Sequence, residues 1–136
     1  MVHRDLKLEN VLVHTDPRTG EQILKLADFG LCSVNPEQRE KASIGSPAFI
    51  APECLSMGMY TVASDIYALG VLLYEIFTGK LPWKLTRYDN LLMKKTNFAP
   101  DKEAFRNYSK NAYNLTAGMM HWDIEQRINL TDLNVV

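Results

Sequence analysis

The chain of 136 residues has the length of a single domain and is long enough to bury a hydrophobic core. Hydrophobic residues make up 46% of the sequence and charged residues 23%, which are values typical of globular proteins. The formal net charge of −1 gives no support to nonspecific binding of nucleic acid or of an anionic membrane surface, so neither is expected as a partner.

The first motif along the chain is the run HRDLKLEN at residues 3–10. It places a carboxylate, a cation and an amide close together, at Asp5, Lys7 and Asn10. A carboxylate can orient a hydroxyl group, a cation can offset the charge of a phosphoryl group, and an amide oxygen can bind a hard metal ion. Lys7 or Asn10 alone would be an ordinary solvated loop side chain, so the indication depends on the full set.

Two short apolar runs come next, at Val11–Val13 and Ile23–Ala27, with a polar stretch containing proline and glycine between them. This pattern predicts an antiparallel hairpin with a long loop. In such a hairpin Asn10 would directly precede the first strand and Asp28 would directly follow the second. Both side chains would therefore lie at the same edge. Asn and Asp are common at turns, and therefore neither residue alone is a strong indication of a site.

Residues 30–45 show little periodicity and predict a surface loop. The most strongly helical stretch follows at Ile66–Phe77, where Ser64 or Asp65 can cap the start and a glycine ends the run. Because these residues are apolar on almost every face, we expect a buried central helix at about residues 65–78.

Shorter helices are predicted in the last third of the chain, at residues 89–95, at residues 112–121 and from residue 129 onward. Leu115, Met119 and Trp122 are candidate core residues of this region. Methionine and aromatic side chains at helical spacing pack into a core far more often than they form a ligand site.

Three motifs, HRD at residues 3–5, DFG at 28–30 and APE at 51–53, occur in an order that resembles the signature set of the eukaryotic-type serine/threonine protein kinases. The sequence GSP at residues 45–47 is similar in wording to the calcium/calmodulin and AMP-activated kinase groups. The resemblance implies transfer of the γ-phosphoryl group of ATP, with Mg²⁺, to Ser/Thr hydroxyls of a protein substrate.

The resemblance also implies a fold, namely the C-terminal lobe of a protein kinase, which is mainly α with a small β-hairpin. In one partial domain over residues 1–136, it places a catalytic loop at 3–10, an activation segment at 28–53 and the central helix at about 65–78. The Gly-rich loop and the paired lysine and glutamate of the N-terminal lobe have no counterpart in the sequence. An incomplete kinase domain is therefore expected.

Five residues would bind or act on the nucleotide if the resemblance holds. Asp5 would accept or orient the proton of the substrate hydroxyl, and Lys7 would lie against the γ-phosphate. Asn10 and Asp28 would hold Mg²⁺, and Leu12 would lie beneath the adenine ring.

Three residues would position the protein substrate. In the family, the residue that corresponds to Ser46 ties the catalytic aspartate and lysine together, and a serine there favours Ser/Thr over Tyr acceptors. Glu9 and Glu75 match positions that pair with an arginine upstream of the phosphoacceptor, which gives a slight lean toward basic substrate motifs. Both acids could equally be solvated surface residues.

A further group would have a regulatory role. His3 and Phe29 would stack in the regulatory spine, and Gly30 completes the DFG motif. Arg4 would pair with a phosphate on the activation segment, for which Ser43 is the candidate acceptor. An unmodified loop serine is the alternative for Ser43.

Three residues would stabilise the domain rather than take part in chemistry. Asp65 would anchor the backbone of the catalytic loop from beneath. Glu53, the end of the activation segment, would form a buried ion pair with Arg127 near the end of the domain. Breaking one side of such a pair costs about 3–5 kcal/mol.

Two interpretations remain open. The chain is either part of a serine/threonine kinase whose N-terminal lobe is missing, and is inactive alone, or a noncatalytic interaction module derived from a kinase. Without the helix that normally precedes the catalytic loop, one side of the central helix would face water and offer an apolar surface to a missing lobe or another partner.

The two cysteines predict the compartment. Cys32 and Cys54 fit no metal-ligand spacing and make no disulfide framework, so reduced thiols are expected. The start of the sequence has no basic region followed by an apolar run. An intracellular, cytoplasmic location is therefore expected.

Overall fold

The structure, a computed structural model, describes residues 1–35, 39–84 and 88–133. Residues 36–38 of the predicted activation segment and residues 134–136 of the last predicted helix lie outside the described residues. The elements are, in chain order, a 3₁₀ turn at Leu8–Asn10, β1 at Val11–Thr15, β2 at Gln22–Leu26, α1 at Pro52–Met57, α2 at Val62–Thr78, α3 at Tyr88–Thr96, a second 3₁₀ turn at Lys102–Phe105, α4 at Lys110–Met119 and α5 at Leu130–Leu133.

Strands β1 and β2 pair antiparallel, which confirms the predicted hairpin. Val11 lies opposite Leu26, and just beyond the strand ends the Ala27 N–H donates to the Asn10 carbonyl at 2.9 Å. Most residues of both strands are exposed, and Leu24 has 69% of its surface accessible. The hairpin therefore lies mostly outside the core.

Helix α2 is the centre of the core, and a buried helix thus lies where the sequence predicts one. Tyr67 and Val71 on this helix are fully buried. The helix begins at Val62, earlier than the predicted start at residue 65, because the cap involves the preceding turn. The Ser64 hydroxyl accepts the N–H of Thr61, the N-cap residue, at 3.0 Å, which satisfies a backbone donor at the helix start.

Helix α4 packs closely against α2 at Gly70. A Cβ atom at this position would lie 2.8 Å from the Cβ of Met119 and 2.8 Å from the Cγ of Met120, which is closer than such atoms approach. Aromatic rings continue the core below this contact, and Tyr74 lies 6.0 Å from Phe105 between ring centroids. Glycine is therefore the residue that lets the two helices meet.

The prediction of Trp122 as a core residue is wrong. Helix α4 ends at Met119, and Trp122 lies in the turn that follows with 51% of its surface exposed. Helical spacing does not apply beyond the last helical residue, so the indole leaves the buried face. Met120, the C-cap residue of α4, is buried instead.

Part of the apolar surface remains accessible. On α2, Ile76 is 52% exposed, and Leu69 and Leu73 are half-buried. This exposed side is consistent with the apolar surface expected on the central helix. Across the three described ranges, none of the helices is long and apolar enough to cross a membrane.

Candidate active site

The 3–10 loop is held from beneath by Asp65, a residue in the first turn of α2. Its carboxylate accepts the N–H of His3 at 2.7 Å and the N–H of Arg4 at 3.0 Å. Arg4 has a φ of 71°, which is unfavourable for a residue with a side chain. Two hydrogen bonds to one carboxylate thus keep a strained turn in a fixed place on the most buried helix.

Asp5, Lys7 and Ser46 form a connected cluster above this anchor. Asp5 Oδ1 accepts the Ser46 N–H at 2.9 Å and the Ser46 hydroxyl at 2.8 Å. Lys7 Nζ lies 3.0 Å from Asp5 Oδ2 and donates to Ser46 Oγ at 3.0 Å. The cluster therefore joins the 3–10 loop to the segment at residues 45–50, which we call the 45–50 loop.

The cluster keeps the Asp5 carboxylate ionised. Burial alone would raise the pKa of Asp5, but hydrogen bonds from Lys7 and Ser46 and the charge of Lys7 outweigh burial and hold the pKa below its usual value. An ionised, partly buried carboxylate is thus available to accept a hydrogen bond from a hydroxyl group.

Gly45 allows the two loops to approach. Its φ of 95° lies in the region that favours glycine, and a Cβ atom there would overlap the carbonyl oxygen of Arg4. A side chain at this position would push Ser46 away from Asp5. The glycine before Ser46 is therefore part of the geometry of the cluster.

Asn10 and Asp28 lie at the same end of the hairpin, as the sequence predicts. The Asn10 amide donates to the Asp5 carbonyl at 2.8 Å, so its nitrogen is engaged and its oxygen is the atom suited to a metal ion. Asp28 is exposed, has a φ of 59° and accepts the Gly30 N–H at 3.3 Å. The left-handed turn at Asp28 directs the chain out of the hairpin.

This pair fits Mg²⁺ bound together with phosphates better than it fits a closed protein site. In the part of the chain that the structure describes, no group of three His, Cys, Asp or Glu side chains could hold a metal ion. Mg²⁺ takes one or two carboxylates and completes its shell with phosphate oxygens and water. One carboxylate and one amide, at Asp28 and Asn10, meet that need.

The residues expected around the nucleotide are accessible. Leu12 is 53% exposed on β1, and Phe29 is 51% exposed beside the hairpin. The His3 and Phe29 rings meet edge to face at 5.1 Å, and His3 Nε2 lies 3.1 Å from the Ala27 carbonyl. The buried His3 ring therefore connects the 3–10 loop to the end of the hairpin.

Arg4 binds a carboxylate that the sequence did not single out. Its Nη1 donates to Glu40 Oε1 at 2.6 Å, and its Nε donates to the Leu31 carbonyl at 2.5 Å. Ser43, the candidate phosphate acceptor, is exposed. The charged stretch before Ser43 was visible in the sequence, but nothing in it distinguished Glu40 from its neighbours.

Glu53 and Arg127 form a bidentate ion pair in the interior. Arg127 Nη1 donates to Glu53 Oε1 at 2.7 Å and Nη2 donates to Oε2 at 2.9 Å, and both side chains are buried. Glu53 Oε1 also accepts the Ser64 hydroxyl at 3.1 Å. The pair links α1 and α2 to the segment after α4.

The two acids expected to position a substrate lie on different elements. Glu9 is exposed in the first 3₁₀ turn, next to Asn10, and Glu75 is half-buried in the last turn of α2. Within the described residues, neither carboxylate bonds to the cluster of Asp5, Lys7 and Ser46.

Sequence analysis did not identify Lys95, which is fully buried on α3. Its Nζ donates to the carbonyls of Pro47 at 3.0 Å and Ala48 at 3.1 Å, and also to that of Ile50. Lys94 beside it is exposed. Two adjacent lysines carry no sequence signal that separates them, because their burial depends on how α3 packs.

Comparison with known proteins shows the family of the chain. The protein kinase domain family matches residues 1–135. The chain is 32% identical over 133 residues to a serine/threonine-protein kinase atg1 of Dictyostelium discoideum, with 97% of this chain and 19% of that protein covered. It is 35% identical to an Aurora kinase of Candida glabrata, with 96% and 35% covered, and 34% identical to a RAC serine/threonine-protein kinase of Drosophila melanogaster, with 94% and 20% covered.

The chain therefore belongs to the protein kinase family, as its match over residues 1–135 shows. Two of these relatives are named serine/threonine-protein kinases, which supports the serine/threonine class. The chain spans 35% or less of the length of each of these three relatives.

Proposed function

We propose that this chain contributes the acceptor and metal-binding part of an ATP-dependent protein serine/threonine kinase. The observation that carries the proposal is the cluster of Asp5, Lys7 and Ser46, in which one ionised carboxylate is held between a cation and a hydroxyl. A structural cluster alone would not need Asn10 and Asp28 at the adjoining hairpin end.

In the proposed reaction, Asp5 accepts a hydrogen bond from the Ser or Thr hydroxyl of a protein substrate and orients its oxygen toward the γ-phosphorus of ATP. A bond forms between the hydroxyl oxygen and phosphorus, and the bond between phosphorus and the bridging oxygen of ADP breaks. The hydroxyl proton passes to Asp5. Lys7 offsets the negative charge of the phosphoryl group. The protein thus contributes positioning and charge stabilisation rather than a covalent intermediate.

The cofactor assignment follows from the oxygen ligands. Asn10 and Asp28 would hold Mg²⁺, which supplies charge neutralisation for the phosphates when it is bound. Leu12, exposed on β1, offers an apolar surface on which an adenine ring can lie. His3, Phe29 and Gly30 would keep the hairpin end in register with the 3–10 loop.

Finer assignments of the substrate remain part of the proposal. Glu9 and Glu75 supply negative charge that would favour a basic substrate motif, although they lie on separate elements. The GSP sequence at residues 45–47 keeps the calcium/calmodulin and AMP-activated kinase groups as the proposed subgroup, while the three relatives above carry other names. Phosphorylation of Ser43 would compete with Glu40 for Arg4.

The assignment to the C-terminal lobe is also a proposal, as is the cytoplasmic location. The lobe assignment is supported by the mainly helical fold with one hairpin and by the exposed apolar side chains on the hairpin and at Ile76 of α2. A nucleotide-binding lobe would cover part of this surface and complete the site.

The test is Mg²⁺-dependent binding of a nonhydrolysable ATP analogue to the purified chain, measured by calorimetry. We expect Asp28→Asn to lower the affinity by about tenfold or more, because one of two metal ligands loses its charge. Asp16→Asn, at the opposite end of the hairpin, is the matched control and should bind like the wild type. Transfer of labelled γ-phosphate to a serine peptide should fall about 10²–10⁴-fold in Asp5→Asn.

Failure has a clear form. If the chain unfolds cooperatively but neither binds the nucleotide nor transfers phosphate, catalysis by this chain alone is excluded. The noncatalytic interaction module then becomes the better assignment, and binding of serine-containing peptides without nucleotide would support it.

A further inference from the structure

Lys95 is a buried cation that the proposed chemistry leaves without a role. It lies in the last turn of α3 and has no exposed surface. An ammonium group has three N–H donors, and here each has a backbone carbonyl as acceptor, at Pro47, Ala48 and Ile50. All three acceptors belong to the 45–50 loop.

Two aromatic rings complete the surroundings of this ammonium. Its nitrogen lies 4.8 Å from the centre of the Trp83 ring and 5.6 Å from that of Tyr67. The faces of aromatic rings attract cations, and more so when water is excluded. Trp83 also donates its own N–H to the Ala48 carbonyl at 3.1 Å.

Among the described residues, Lys95 forms no ion pair. Glu53, whose charge acts on Lys95, pairs with Arg127 instead. Burying a charge without an ion pair is costly, so an apolar side chain would be the simpler way to fill this space. The ammonium therefore serves the carbonyls that it binds.

The 45–50 loop is thus held from two sides. At one end, the Ser46 N–H and hydroxyl bond to Asp5 in the active-site cluster. From the core side, Lys95 holds the carbonyls at the next positions, and the Phe49 N–H closes a turn onto the Ser46 carbonyl at 2.9 Å. A shift of the carbonyls would pass directly along the chain to Ser46.

We propose that Lys95 is a positioning residue, whose ammonium fixes the backbone of the 45–50 loop and thereby sets Ser46 against Asp5 and shapes the surface on which the acceptor peptide lies. The link to the acceptor peptide rests on the proposed kinase function. The hold on the loop does not depend on it and can be tested alone.

Titration of Lys95 gives the inference a distinctive pH dependence. Burial lowers the pKa of Lys95 to about 7, and the negative charge of Glu53 on α1 acts in the opposite direction. Burial raises the pKa of Cys54 to about 12 and also raises that of Tyr67, so these neighbours stay neutral while Lys95 loses its proton. The neutral amine has two N–H donors for three carbonyls and turns its lone pair toward the third, so the loop should loosen.

The effect on global stability has the opposite sign. Above pH 7 the unfolded chain retains the lysine proton that the folded chain has released, and stability rises with pH wherever the unfolded state binds more protons. The loop should therefore loosen between about pH 7 and pH 9 while the contribution of Lys95 to the free energy of unfolding increases. A residue with a merely structural role would change both in the same direction.

Hydrogen exchange of the full chain tests the hold on the loop. The amides of Ser46 and Phe49 report on it, and core amides of α2 report on global unfolding. We expect Lys95→Met, which keeps the length of the side chain, to lower the protection of the two loop amides at least about tenfold relative to the α2 amides. Lys94→Met changes the adjacent exposed lysine and should leave both sets unchanged.

Wild-type protein measured from pH 6 to pH 9, with correction for intrinsic exchange, gives a second readout that needs no variant to fold. Loop protection should fall with pH while α2 protection does not. Equal loss in both sets, or no pH dependence of the loop amides, would overturn the proposal.

The link to the acceptor is tested by kinetics wherever phosphotransfer is detected. Lys95→Met should raise KM for a serine peptide about tenfold and leave KM for the nucleotide unchanged. In the wild type, we expect KM for the peptide to rise above pH 7 as Lys95 loses its proton. This rise should be absent in the variant. Equal changes in both KM values would overturn this link. Absence of phosphotransfer would count against the proposed function and leave the exchange result standing.

Discussion

The acceptor side of the site and the hairpin side differ in how they are held. Asp5 and Ser46 are bonded to each other, and the loops that carry them are anchored by Asp65 and Lys95. The hairpin joins the same site at Asn10, but most of its residues are exposed.

The difference shows how the chain divides its stability. Anchors on the acceptor side connect residues far apart in sequence, such as His3 with Asp65, and each engages a buried or half-buried polar group. The hairpin is held mainly by its own ladder, which runs from the Val11–Leu26 pair to the Thr15–Gln22 pair. Changes on the acceptor side should therefore alter folding, whereas changes on the hairpin should leave folding intact.

The strongest way to break the anchored side is Arg127→Met. This change leaves the Glu53 carboxylate buried without its partner, and we expect the free energy of unfolding to fall by about 3–5 kcal/mol. Urea denaturation measures it. Arg106→Met, which removes an exposed ion pair with Glu103, is the control and should cost less than about 0.5 kcal/mol. Similar losses in both variants would contradict the distinction.

A smaller effect is expected for Asp65→Asn. The amide keeps an oxygen acceptor but loses the charge that strengthens the bonds from the His3 and Arg4 N–H groups. We expect a loss of about 1–3 kcal/mol, accompanied by faster hydrogen exchange of these two amides. Faster exchange throughout α2, without a larger change at His3 and Arg4, would show that the carboxylate does not act through the loop.

Titration tests how Lys7 affects the pKa of Asp5 in the cluster. The pKa of Asp5 is held low in the folded chain, so its contribution to stability is present above the ordinary pKa of an aspartate and is lost as pH falls through the folded value. Lys7→Met should raise the pKa of Asp5, measured from the carboxyl carbon by NMR. Lys25→Met on the exposed hairpin should not, and an unchanged Asp5 in both variants would exclude the role of Lys7.

The smallest effect is expected on the hairpin surface. Leu24→Gln replaces a side chain that is largely exposed, so the free energy of unfolding should change by less than about 0.5 kcal/mol. Thermal denaturation measures it. A loss of several kcal/mol would mean that the hairpin is packed against another surface in solution, for example in a second copy of the chain, and the protein concentration dependence of the melting temperature would reveal it.

Much of this arrangement was predictable from the sequence, and the reasons are local. The apolar runs around a polar turn predicted the hairpin, and apolar residues on every face predicted the burial of α2. The motif order predicted the kinase family, to which the chain belongs. The prediction of Trp122 as a core residue was wrong because helical periodicity does not apply beyond the end of a helix.

The sequence by itself determined the elements and the chemistry available to them, because propensity, periodicity and motif spacing act over a few neighbouring residues. The tertiary structure alone decided that Glu40 pairs with Arg4 and that Lys95, rather than Lys94, is buried. Adjacent residues on a helix point in different directions, and which direction faces the core depends on the packing of distant segments. A buried charge is therefore assigned to its partners by the fold, and the local sequence cannot name them.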